Sequence, residues 1–143
     1  MRCSSKMIKR LNHVGVIVYN LDDTLRIYER IFGLKPTTVK TAMEGKARVA
    51  FVPVGDGEIE LIEPLDPSLP QSKFLQTRGQ GIHHISLSTD DIESEVERMR
   101  KQGVDFAGEA PKIGAHGVKI IFTKPETTDN ITVELCEEPQ YKA

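Results

Sequence analysis

The chain has 143 residues, enough for one domain with a real core and too few for two ordinary ones. Its 38% hydrophobic and 28% charged residues are those of a soluble globular protein, and a net charge of −2 makes no electrostatic case for nucleic acid or an anionic membrane as main partner. No apolar run approaches a membrane span and the N-terminus lacks a signal-peptide core. Cys3 and Cys136 are too few and too scattered for a disulfide framework, so reduced thiols in a cytoplasmic protein are expected.

Met1–Lys6 is a short polar lead-in, expected to be flexible. From Asn12 to Val18 the residues alternate, with Val14, Val16 and Val18 on one face and His13, Gly15 and Ile17 on the other, the period of a strand. Asn20-Leu21-Asp22-Asp23 offers a helix cap, and Leu25, Tyr28, Ile31 and Phe32 follow at helical spacing until Gly33 stops the pattern. Three strand-like runs come next, near 36–41, 48–54 and 58–62, with Gly55-Asp56-Gly57 turning between the last two. Residues from about 63 to 80 read as a connector with a short helix at 71–77.

The order then repeats. Ile82 to Ser88 alternates, with His84, Ser86 and Ser88 opposite Ile85 and Leu87. Asp90-Asp91 caps a helix carrying Ile92, Val96 and Met99, which Gly103 ends, and strand-like runs recur at 104–107, 119–123 and 131–136. His84 lies 71 residues after His13, Gly103 lies 70 after Gly33, and Glu134 lies 74 after Glu60. Landmarks at a nearly constant offset predict an α+β fold of two pseudo-twofold-related βαβββ units. Unit one covers about 8–65 and unit two about 81–138, within one domain from Met7 to Glu138. A helix can cover one face of each half-sheet, which leaves the other faces to form a cup-shaped mixed sheet around a common centre.

Alternation selects the side chains that face that centre. His13 and His84 open the first strand of each unit, opposite its aliphatic stripe; Glu60 lies between Ile59 and Leu61, and Glu134 between Val133 and Leu135. A strand histidine alone is more often a satisfied polar residue, and a strand glutamate is commonly the solvent side of the alternation. Four such residues at repeat-equivalent positions instead suggest two imidazoles and two carboxylates around a divalent transition metal. Such an ion would polarise a bound carbonyl, and Glu60 or Glu134 could move a proton at the neighbouring carbon. A carboxylate that is also a ligand would have to loosen to accept that proton. His83, aligned with Asn12, is expected on the helix side, and His116 is expected to be a loop or substrate contact.

From about Met7 to Glu138 the chain resembles the vicinal oxygen chelate superfamily and, within it, the methylmalonyl-CoA epimerases. The segments that carry the resemblance are Ile59-Glu60-Leu61-Ile62-Glu63-Pro64-Leu65, Ser72-Lys73-Phe74-Leu75 leading to Gly79-Gln80-Gly81-Ile82-His83-His84-Ile85, and Pro111-Lys112-Ile113-Gly114-Ala115-His116-Gly117. The resemblance implies metal ligands at His13, Glu60, His84 and Glu134. It implies one divalent ion per domain, with cobalt favoured and zinc, nickel or manganese possible, and a homodimer acting on an acyl-CoA. The implied reaction interconverts (R)- and (S)-methylmalonyl-CoA by proton transfer at C2 through a metal-stabilised enolate. The acid–base roles would fall on Glu134 and, counting back from Val49-Ala50-Phe51-Val52, on Glu44. Lys124-Pro125-Glu126 and Asp129-Asn130 depart from the family's usual residues before the last strand, although Asp-Asn still suits a turn with positive φ. A glyoxalase-I-like enzyme acting on a hemithioacetal is the alternative, favoured less by Gly114-Ala115-His116-Gly117. A ring-cleaving dioxygenase would leave Glu60 in a position that its iron keeps open, and a non-catalytic binding relative would lack the four ligands.

Overall fold

The computed structural model describes residues 8–141; the polar lead-in Met1–Lys6, with Cys3, lies outside the described residues. The chain divides into two compact units, one from His13 to His84 and the other comprising the segment up to Asn12 together with Ile85 onward. Strand β1, Ile8–Ile17, and strand β5, Gly81–Thr89, each run from one unit into the other.

In the unit from His13 to His84, helix α1 spans Leu21–Phe32. Asn20 caps it, its Oδ1 accepting from the Asp23 N–H at 2.9 Å, and Gly33 closes it at φ 68 in the left-handed conformation that glycine adopts without a Cβ penalty. Strands β2, Thr38–Ala42, β3, Ala47–Val54, and β4, Gly57–Pro64, complete this unit's half-sheet. Gly55-Asp56 joins β3 to β4 as a two-residue hairpin turn, and the order is β2-β3-β4-β1. β4 lies parallel to β1, with Val14 opposite Ile59 and Gly15 opposite Glu60. One face of this half-sheet is apolar and covered by α1: Val18, Leu21, Ala50, Val52 and Leu61 are buried together, with Leu25, Tyr28 and Ile59 packed against them. The connector helix α2, Pro70–Arg78, belongs to the same unit, where the Tyr19 hydroxyl donates to the Leu75 carbonyl and the Tyr19 N–H donates to Gln80 Oε1.

The other unit repeats the plan. Asp91 caps helix α3, Ile92–Lys101, by accepting from the Ser94 N–H. The order of strands is β5-β8-β7-β6, with β6 at Lys112–Ile113, β7 at Lys119–Phe122 and β8 at Val133–Glu137. Ile92, Val96, Phe106, Ile121 and Leu135 form the core under α3. The first half of β1 belongs here because Arg10 Nε and Asn12 Nδ2 donate to Glu138 Oε1, at 2.9 and 3.0 Å, and Ile8 joins the core.

One expected strand is absent. Residues 104–107 contribute a single bridge, Phe106 to Thr123, and the strand at this place in the repeat is Lys112–Ile113. Gly103 and Gly108, at φ 95 and 124, bend the backbone on either side, and the Asp105 N–H bonds to the Thr127 hydroxyl instead of to a strand partner. Asp129 and Asn130 hold the expected positive φ, 58 and 63. No helix among the described residues is long and apolar enough to cross a membrane.

Burial sets the first expected outcome. Leu61 is fully buried beneath α1, so Leu61→Ala costs about 2–5 kcal/mol in urea denaturation. Asn20→Ala removes one cap and costs about 1 kcal/mol in the same assay.

Candidate metal centre

Because β1 alternates, His13, Gly15 and Ile17 share the face turned away from α1, and all three are buried. Parallel pairing sets Glu60 opposite Gly15, and the antiparallel partner strand sets Phe51 opposite Glu60, so the carboxylate stands two residues along from His13 on the same face. His84 reaches this face from β5. His13 Nε2 lies 3.1 Å from Glu60 Oε1 and 3.3 Å from His84 Nε2, and the two imidazoles meet edge to face at 81°. The three side chains are only 3%, 6% and 3% exposed.

These separations can be compared with the edges of a coordination polyhedron. Metal–nitrogen bonds of about 2.0–2.1 Å place adjacent donor atoms about 2.9 Å apart at right angles and about 3.4 Å apart in a tetrahedron. The observed 3.1 and 3.3 Å fall between these limits, and imidazole nitrogen with carboxylate oxygen suits a divalent transition metal. The residues present therefore fit such an ion. Burial pushes the His84 pKa down to about 3; the nearby His13 and His83 rings push the same way, while Glu60 opposes them. His84 is neutral at pH 7 and keeps a lone pair for a ligand.

Gly15 was not singled out as a functional residue in the sequence, and its part is steric. A Cβ built on Gly15 would lie 2.1 Å from His84 Cε1, so the ring occupies the volume that any other residue's side chain would fill. A glycine inside a strand pattern, two positions after a candidate ligand, is the signal that points to such a close approach. His83 also departs from the simple alternation. Its ring packs edge to face on Phe74 of α2, and its Nδ1 lies 2.9 Å from His84 Nδ1.

In the unit from Ile85 onward, Glu134 is 4% exposed, and its register matches that of Glu60: it stands opposite Ser86 of β5 and opposite Phe122 of β7. Ser86 follows His84 by two residues, as Gly15 follows His13. Glu44 has a different setting. It is exposed in the turn between β2 and β3 at φ 57, beyond the Ala47–Pro64 pair, whereas Glu60 pairs with Phe51 four residues further along β3. Four residues of strand amount to about 13 Å, so this conformation does not bring Glu44 to Glu60. His116 is exposed in the tight turn between β6 and β7, closed by the Gly117 N–H on the Gly114 carbonyl.

The buried neutral imidazole gives stability a pH dependence. Unfolded His84 gains a proton below its ordinary pKa of 6.5, whereas folded His84 stays neutral until about pH 3, so its contribution is lost as pH falls between these values. Metal-free protein is expected to lose about 2 kcal/mol from this group between pH 6.5 and 5. Urea titrations at the two pH values measure this, and His84→Gln flattens the slope.

Residues 12–122 match the sequence model of the Glyoxalase/Bleomycin resistance protein/Dioxygenase superfamily. The human mitochondrial methylmalonyl-CoA epimerase is 35% identical over 88% of this chain and 72% of its own. The crystal structure of methylmalonyl-CoA epimerase from Mycobacterium tuberculosis is 28% identical, with a TM-score of 0.88 over 95% of this chain and 92% of that one. A methylmalonyl-CoA epimerase solved in complex with methylmalonyl-CoA and NH4+ is 26% identical, with a TM-score of 0.85 over 92% and 95%. The chain has the α+β fold of these proteins, built from two βαβββ units. By family match and by identity across most of its length, it belongs to the Glyoxalase/Bleomycin resistance protein/Dioxygenase superfamily and, within it, to the methylmalonyl-CoA epimerase family of isomerases.

Proposed function

We propose that this enzyme interconverts (R)- and (S)-methylmalonyl-CoA by moving the proton at C2. The observation that carries the reading is the buried His13–Glu60–His84 cluster, in which two imidazole nitrogens and a carboxylate oxygen stand at ligand spacing in a member of an epimerase family. His13, Glu60 and His84 would hold a divalent ion, cobalt in the first instance, and Glu134 is proposed as the fourth ligand. Support for Glu134 comes from its burial and from the shared register, each glutamate facing a phenylalanine on one side and a small residue two past a histidine on the other. Bound there, the ion would polarise the thioester carbonyl and make the C2 proton easier to remove.

The chain's own groups then handle the proton. A Glu134 carboxylate oxygen takes the C2 proton and becomes a carboxylic acid, while the electron pair left at C2 delocalises onto the thioester oxygen. Return of a proton to the opposite face of C2 inverts the centre. Glu44 is proposed for that face, a role that requires the turn at 43–46 to close over the substrate from its exposed position. His116 is proposed as a contact to the acyl-CoA, and the functional form as a homodimer, on the family resemblance.

Cobalt-loaded protein incubated with methylmalonyl-CoA in D2O is expected to exchange the C2 hydrogen, followed by NMR. Glu134→Gln lowers the exchange by about 100-fold or more. Glu44→Gln lowers epimerisation similarly while leaving exchange on one face. Absence of exchange in wild-type protein carrying a full equivalent of metal would exclude the reaction and direct attention to hemithioacetals, the substrates of glyoxalase-I-like relatives. Wild-type turnover by Glu44→Gln would leave the second proton to another group.

A further inference from the structure

His84 touches histidines through both ring nitrogens: its Nε2 lies 3.3 Å from His13 Nε2, and its Nδ1 lies 2.9 Å from His83 Nδ1. A neutral imidazole has one N–H and one lone pair, so His84 can offer only one of these nitrogens to an ion. Its Nε2 is the nitrogen that stands beside His13 Nε2 and Glu60 Oε1, the atoms at ligand spacing. With Nε2 as the ligand, the ring proton of His84 is on Nδ1, and the atom facing it is His83 Nδ1.

We infer that His83 is a positioning residue, which accepts the Nδ1 proton of His84 and so holds that ring in the tautomer and orientation that present Nε2 to the metal. His83 is suited to this because its own ring is braced edge to face on Phe74, with centroids 5.1 Å apart. The other side of the His84 ring rests over Gly15, where a Cβ would come within 2.1 Å of Cε1, so the ring has a floor as well as an acceptor. A ligating histidine ordinarily gives its second N–H to a carboxylate or carbonyl; here a neighbouring imidazole takes that place. The inference rests on His84 ligating through Nε2. Its test is chosen so that a failure there is distinguishable from a failure of the tautomer assignment.

The first measurement is made on the metal-free full chain: nitrogen-15 correlation spectra of the imidazole rings report which nitrogen of His84 carries the proton. Nδ1–H is expected, and a proton on Nε2 overturns the inference whatever the protein does with metal. The second is cobalt(II) affinity, read from the ligand-field absorption against a competing chelator. His83→Phe, which keeps the ring packed on Phe74 but has no acceptor, is expected to mix the His84 tautomers and to weaken cobalt binding about 10- to 100-fold. His83→Asn, whose Oδ1 stands near the place of Nδ1, is expected to restore affinity to within a few-fold of wild type. A packing role alone would give the reverse ranking, with His83→Phe near wild type and His83→Asn impaired, and that ranking overturns the inference. Gly15→Ala, which pushes on the same ring without touching His83, is expected to weaken cobalt binding while His83 remains in place; unchanged binding would show that the ring is not held. If wild-type protein binds no cobalt, the metal reading falls, and the tautomer spectrum alone decides the role of His83.

Discussion

The contact on which the rest of the site depends is the one between His13 Nε2 and Glu60 Oε1. It joins a nitrogen and a carboxylate that are both almost fully removed from water, and neither could stay there without a partner. Parallel pairing of β1 with β4 makes the contact possible, because it sets Glu60 two residues from His13 along a shared face. Beside this pair lies His84, whose Nε2 closes on the same nitrogen of His13. The interaction is electrostatic, but strand register creates it.

Each unit divides its half-sheet between two tasks. One face is aliphatic and lies under a helix, where Leu61 beneath α1 and Leu135 beneath α3 are fully buried. The opposite face carries the ionisable residues at the positions that alternate with those leucines. Burying both faces produces a strained electrostatic setting, visible in the depressed pKa of His84. An imidazole held neutral in this way costs stability as pH falls, and such shifts are common where a buried group has chemistry to perform. Gly15 belongs to the same economy of space: a strand position without a side chain weakens local packing but admits an imidazole.

The proposed reaction asks for a proton to be taken from carbon beside a thioester, and a buried cluster with few donors suits it. Water excluded from a buried site cannot compete for the proposed ligand positions, and electrostatic interactions inside are stronger than in solvent. Glu44, by contrast, stands in solvent at a left-handed φ, so the two carboxylates proposed for proton transfer begin from unlike environments. Glu134 is already desolvated, whereas Glu44 would have to give up its hydration on reaching substrate.

Periodicity by itself determined much of this protein: the strand–helix order, the Asn20 and Asp91 caps, the Gly33 stop, the hairpin at Gly55-Asp56, and the faces on which His13, Glu60, His84 and Glu134 lie. These are local matters, set by backbone sterics and by alternation of apolar and polar residues over a few positions, so they are legible in a one-dimensional pattern. Residues 104–107 read as a strand because their apolar content suited one, yet left-handed glycines and a threonine hydroxyl from 22 residues away diverted the backbone. Distance relations lay beyond that reach. Counting residues could align Glu44 with an acid–base position but could not place its turn, since hairpin geometry and register decide where a loop ends. Nor could alternation bring His83 beside His84, because neighbours on a strand point to opposite faces unless their side-chain torsions return one toward the other. Only the tertiary structure decided that Gly15 seats the His84 ring and that Glu60 meets His13, for both depend on contacts between strands remote in sequence.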